Sequence, residues 1–210
     1  METKNTNPQE DLIAIRNMME RSSKFLSLSG LSGVFAGICA LVGAAVALFF
    51  ILNSAQITTT AQEVEGVCCD SLKFYLAIDA FVVLVVASLG AFYFSFRKSR
   101  KAHPPIWTKS FRSLLGHLLI PLVTGGVFAI ILLIRDNVQL VASVTLIFYG
   151  LSLVNAGKFT FGEIHYLGLT EIVLGILAGI FVSHGLLFWA VGFGVMHIVY
   201  GIVMYYRYER

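Results

Sequence analysis

Residues 172–206 read IVLGILAGIFVSHGLLFWAVGFGVMHIVYGIVMYY, 35 residues without one Asp, Glu, Lys or Arg. As a single helix this stretch would reach about 52 Å at 1.5 Å per residue, far beyond a hydrocarbon core of about 30 Å. It must therefore turn back, and Ser183-His184-Gly185 is where polar and flexible residues allow it. The two legs are Ile164–Ser183 and Gly185–Tyr206. The same criterion applies upstream: about 20 apolar residues per span, because lipid cannot hydrogen-bond an exposed backbone. It marks Phe25–Leu52, Phe74–Phe96 (interrupted only by Asp79), Ser113–Ile134 and Val138–Gly157. The expectation is an all-α polytopic membrane protein of six helices, arranged by its short connections as three antiparallel hairpins.

Composition agrees. The 210-residue chain is 57% apolar and 13% charged, where soluble domains carry about 25% charge. Too few charges remain to cover a soluble surface, which excludes an ordinary soluble enzyme, a disordered chain and a disulfide-stapled secreted module. The net charge of +3 is spread between apolar runs and forms no basic face for nucleic acid. Lys and Arg favour the cytoplasmic side. Thirteen of them, from Lys4 to Lys24, Arg97 to Arg112, Lys158, Arg207 and Arg210, fall on one side, and only Lys73 and Arg135 on the other. Both termini are then expected on the cytoplasmic side, with an acidic external loop over residues 53–72 carrying Glu63, Glu65 and Asp70.

Three regions follow. Residues 1–24 are polar and lack the basic-then-apolar order of a cleaved signal. Asn7, Pro8 and Glu10 can cap a helix, and Leu12, Ile15 and Met19 would give it an apolar stripe on the membrane surface. That stripe serves as an anchor or docking helix, or simply packs against the ends of the spans. Residues 25–206 form the six-helix domain and 207–210 a cytoplasmic tail.

The hairpins share a pattern. Gly126 precedes Gly150 of Phe148-Tyr149-Gly150-Leu151 by 24 residues, and Gly175 precedes Gly201 of Val199-Tyr200-Gly201-Ile202 by 26. Gly30-Leu31-Ser32-Gly33 with Gly37-Ile38 aligns with Gly168-Leu169-Thr170-Glu171 with Gly175-Ile176. The first hairpin ends on Leu89-Gly90-Ala91-Phe92. An early Gly, a tight polar turn and a late Gly in each hairpin resemble the small six-span bacterial proteins of the HdeD-like acid-resistance family. The chain also looks like six-span proteins of Bacteroidota-type bacteria. The third hairpin, Thr170 to Tyr206, carries the likeness best, and the first departs through its long loop. The resemblance implies the six-span fold and an envelope or stress role, and brings no catalytic motif.

Small residues let helices approach closely in lipid. Gly30, Gly33, Gly37, Ala40, Ala44 and Ala47 form such a face on the first span, and Gly168, Gly175 and Gly179 on the fifth. They serve packing within the bundle or contact with a second copy. Ionisable groups at membrane depth are costly and mark candidate sites. Glu171 lies 13 residues before His184 and His197 lies 13 after it, so antiparallel legs put the two at one depth. The pair could share a proton near neutral pH or hold helix register by a hydrogen bond. Asp79 is a second buried acid, with Asn53 or a hydroxyl as its expected partner. Pro121 with Gly125-Gly126 marks an expected kink in the third span.

His117 and His197 at similar depth could hold a haem or, with Glu171, a metal. No clustered ligand motif supports this, and no cofactor is expected. Cys68 and Cys69 fall in the external loop, where disulfides are permitted. The expected role is non-enzymatic, in the envelope or in binding a partner. The alternative is a small proton-linked transporter or channel using Glu171, His197 and Asp79, and a haem or metal protein is the third reading. The orientation has a direct check in intact cells. An impermeant thiol reagent should label native Cys68 and Cys69 and miss a cysteine placed at Lys101; the reverse pattern would invert the topology.

Overall fold

A computed structural model describes residues 29–60, 65–102 and 109–210, the side chains of residues 54–60, 65–70, 99–102, 109 and 110 excepted. The expected surface helix over residues 1–24 and the thiols of Cys68 and Cys69 lie outside what is described. Helix α1 runs Gly30–Thr60, α2 Glu65–Ala102, α3 Lys109–Ile134, α4 Val141–Ala156 and α5 Gly162–Ile180. The last span is composite: a 3-10 turn Val182–His184, α6 Gly185–Trp189, a π-helical segment Ala190–Met196, and α7 His197–Tyr208. Six helical segments among the described residues are long and apolar enough to cross a membrane, and no strand occurs there. The chain is an all-α polytopic protein.

The long apolar run turns where its length requires. Helix α5 stops at Ile180, and Phe181 breaks the helix with φ −104° and ψ 63° before the 3-10 turn. Between α3 and α4 the reversal is built differently. Asp136 adopts φ 60°, its N–H bonds Leu133 O, and the Asn137 N–H bonds Leu132 O at 2.9 Å. This is the Schellman closure, with Asp in the left-handed position usually taken by Gly. Its carboxylate pairs with Lys73 of α2. Helix α3 stays continuous through Pro121.

Successive spans pack as hairpins, α1 on α2, α3 on α4, and α5 on the last span. The hairpins are then joined by two glycine seams, α1 against the last span and α4 against α5. A Cβ built on Gly201 would fall 2.7 Å from Gly30 O and 2.6 Å from Val34 N; one on Gly150 would fall 2.6 Å from Gly168 O and 2.9 Å from Ile172 N. Gly37 abuts Ile198 and Gly175 abuts Ile147, each isoleucine lying three residues before its seam glycine. The two seams therefore correspond contact for contact. The likeness between the starts of the first and fifth spans is physical: both present glycines to an antiparallel neighbour. Gly179 completes its face against the Ser143 hydroxyl. Helix α2 buries none of its described residues and offers a broad apolar surface to lipid.

The chain's described ends meet at one end of the bundle. The Gly30 N–H and the Ser29 hydroxyl donate to the Glu209 carboxylate, which closes the N-terminus of α1 from across the fold. Lys98 of α2 reaches the same carboxylate at 3.3 Å. Beside it, Arg207 and the Tyr208 hydroxyl donate to Glu163 of α5, at 2.9 and 3.0 Å. An anion at a helix N-terminus satisfies free N–H groups and meets the positive end of the macrodipole.

Backbone atoms line both seams, so a methyl group cannot be absorbed by a rotamer change. Gly201→Ala and Gly168→Ala should each cost about 1–3 kcal/mol, the range for overpacking. Gly116, where an added Cβ would meet nothing within 4 Å, should accept Ala without loss. Thermal denaturation in detergent checks this, and equal midpoints for all three variants would rule the seams out as the holding contacts.

A buried carboxyl, imidazole and phenol

Helix α5 turns one stripe inward: Glu163, Ile164, Leu167, Gly168, Glu171, Gly175 and Ala178 are its buried residues. Glu171 stands in the middle of that stripe and has no exposed surface. The last span faces it with the π-helical segment. A π turn shifts the hydrogen-bond partner to the fifth residue and changes which side chains point inward beyond it. Here Gly192 is brought against the carboxyl, so that a Cβ at that position would overlap Glu171 Oε2 and Leu146 Cδ2. Five residues later, His197 Nδ1 lies 3.0 Å from the Gly192 carbonyl oxygen and 3.4 Å from Glu171 Oε1. The other ring nitrogen, Nε2, lies 2.8 Å from the Tyr149 hydroxyl of α4.

These contacts determine the imidazole's tautomer. A carbonyl oxygen only accepts, so Nδ1 carries a hydrogen and donates it to Gly192. Neutral His197 then accepts from the Tyr149 hydroxyl at Nε2; as imidazolium it donates there instead. The ring also packs against aromatic neighbours, Tyr149 at 5.4 Å and Phe193 at 5.9 Å between centroids. Glu171 lies beside the Nδ1–H and off its axis. Both carboxyl oxygens are buried with no hydrogen-bond partner. Burying a carboxylate without donors is costly, and so is burying an unpaired acid hydroxyl. The site is built around a group it does not fully satisfy.

The equivalence of the two seams shows that packing does not demand this polarity. By the glycine correspondence, the place of His197 in the last span is held by Leu146 in α4, and that of Glu171 in α5 by Gly33 in α1. Leu146 is fully buried and apolar. Each seam carries one of the two polar groups, the imidazole on the last span and the carboxyl on α5, and they meet across the hairpin that these two helices form.

The remaining sequence candidates lie elsewhere. Asp79 of α2 is half-buried beside Gly43 of α1, its Oδ2 3.6 Å from where a Cβ there would sit. Asn53, its expected partner, is exposed near the far end of that pair. His117 is exposed on α3, its Nδ1 2.7 Å from Ser113 O and its ring 4.8 Å from that of Phe159. His117, exposed beside Phe159 of the 3-10 turn Gly157–Phe159, and the buried His197 thus have separate partners. Among the described residues no three His, Cys, Asp or Glu side chains cluster as metal ligands.

Two residues of the site went unread in the sequence. Tyr149 stands in the repeated Phe148-Tyr149-Gly150 pattern, whose counterpart Tyr200 hides its significance. Gly192 is one of two glycines in Gly192-Phe193-Gly194, a local helix-weakening signal that does mark the π-helical segment. In comparison with known proteins, no family model, no curated protein and no solved structure matches the chain.

The pairing makes an energetic prediction. Orphaning a buried polar group costs about 1–3 kcal/mol, but polar contacts in membranes couple by about 0.6 kcal/mol on average. A double-mutant cycle of Glu171→Leu and His197→Phe, followed by thermal denaturation in detergent, should give a coupling of about 1 kcal/mol. Strictly additive losses would show that the two side chains do not sense each other.

Proposed function

We propose that this chain is a proton-responsive protein of the bacterial cytoplasmic membrane, both termini in the cytoplasm, in which Glu171, His197 and Tyr149 bind and pass a proton. One observation carries the reading: Glu171 is fully buried, 3.4 Å from an imidazole nitrogen, with both carboxyl oxygens lacking a hydrogen-bond partner. A proton held by the carboxyl or by the imidazole gives the pair the same net charge. A proton gained or lost leaves a net charge in apolar surroundings, which strongly favours a compensating rearrangement. Tyr149 extends the path, since its hydroxyl can donate to or accept from Nε2. A non-enzymatic envelope or stress role, implied by the resemblance to acid-resistance proteins, fits a device of this kind. The 13-to-2 division of basic residues supports the orientation.

A second reading, a small proton-linked transporter, is favoured by the π-helical segment of the last span. Such segments inside helices frequently stand at functional sites. Infrared difference spectra of reconstituted protein between acid and neutral pH test the first reading. A protonated-carboxyl band should appear, vanish in Glu171→Gln and move in His197→Phe. An unchanged spectrum in Glu171→Gln would overturn it. Proton uptake into liposomes, lost in Glu171→Gln, would add transport to binding.

A further inference from the structure

We infer that the Glu171–His197 site exchanges its proton with the side of the membrane that carries the turn at residues 181–184, and is sealed from the side that carries the chain termini. This rests on the proposed proton site and assigns its direction of access.

The two halves of the bundle around the site differ in construction. Toward the terminal side, the buried positions of α5 between Glu171 and Glu163 are Ile164, Leu167 and Gly168. Leu153, Phe161, Ile164, Leu167 and Met204 form one buried apolar cluster there, with Leu118, Tyr149, Met196 and Tyr200 packed against it. Beyond it, Glu163 is held by Arg207 and Tyr208, and Glu209 by Gly30, Ser29 and Lys98. An apolar plug capped by ion pairs bars water and protons from that side.

Toward the turn, the last span lacks regular helix for most of its length. From Val182 to Met196 it passes through a 3-10 turn, five α-helical residues and the π-helical segment, which ends one residue before His197. Such backbone holds weaker internal hydrogen bonds and is where helices admit water or move. Polar groups continue along this half: Ser183 and His184 are exposed at the turn, and the buried Ser143 hydroxyl donates to Gly175 O, one helical turn from Glu171. Trp189 and Phe193, with ring centroids 5.0 Å apart, step from this end to the imidazole.

The titratable groups that meet the site are few. Tyr149 comes from α4, His197 from the last span and Glu171 from α5, while α1 presents Gly33, Gly37 and the apolar Leu41 to this stretch. Glu163 and its partners lie two turns away beyond the plug.

Trp189 provides the readout. In a Trp107→Phe background, protein reconstituted into vesicles is oriented by labelling Ser183→Cys, in a chain otherwise free of cysteine, with an impermeant reagent. The pH is then stepped on one side at a time. Trp189 emission should shift when the pH changes on the Ser183 side and stay unchanged when it changes on the terminal side. The shift should be lost in Glu171→Gln. Emission that follows the terminal side, or neither side, overturns the direction of access. Loss of the Glu171 carboxyl band in the infrared experiment is a different outcome and would overturn the proton site itself.

Discussion

Everything in this bundle depends on how closely two helix backbones can approach where no water exists to drive them together. In lipid the hydrophobic effect does not favour helix association, so dispersion contacts and weak Cα–H···O contacts at small residues must supply the attraction. Gly30 with Gly201, and Gly168 with Gly150, bring carbonyl oxygens to the distance at which a side chain's first carbon would stand. These contacts set the rotation of α1, α4, α5 and the last span about their own axes. That rotation determines that Glu171 points inward.

The seams also make the polar site intelligible. The same glycine geometry joins two helix pairs, yet His197 stands where the counterpart helix has Leu146, and Glu171 where its counterpart has Gly33. The difference lies in the last span, where a π-helical segment brings Gly192 under the Glu171 carboxyl and gives His197 its Gly192 carbonyl partner. A regular helix there would aim other side chains at α5. Local irregularity in the backbone and an unsatisfied charge-bearing group occur together, as they do where structure is held ready for change. The same half-span that positions the imidazole is the one built to open.

At the terminal end the polar groups do different work. Glu209 and Glu163 are satisfied by a helix N-terminus, a hydroxyl, a phenol and cationic side chains. They tie the chain's last residues to its first span. Acids are thus used in two ways within one bundle: paired for cohesion at its end, and left wanting a partner at its middle.

Apolarity and charge are properties of single residues summed along the chain, so the sequence alone determined six spans, the reversal near His184 and the all-helical class. Equal offsets from that turn also brought Glu171 to the depth of His197, because antiparallel helices rise by the same step. Which neighbour each face meets is another matter, since helix rotation is settled collectively when all the seams close. The glycine faces of the first and fifth spans were legible as faces, but their partners, the last span and α4, were not. Tyr149 became part of the site only when α4 turned it toward Nε2, and Glu209 became a cap only when the last span met the start of α1. The π-helical segment depends on a one-residue shift in hydrogen bonding that glycine permits and the packing against Glu171 selects. Those features belong to the tertiary structure because each is a distance between residues far apart in the chain, determined by backbone contacts that composition does not encode.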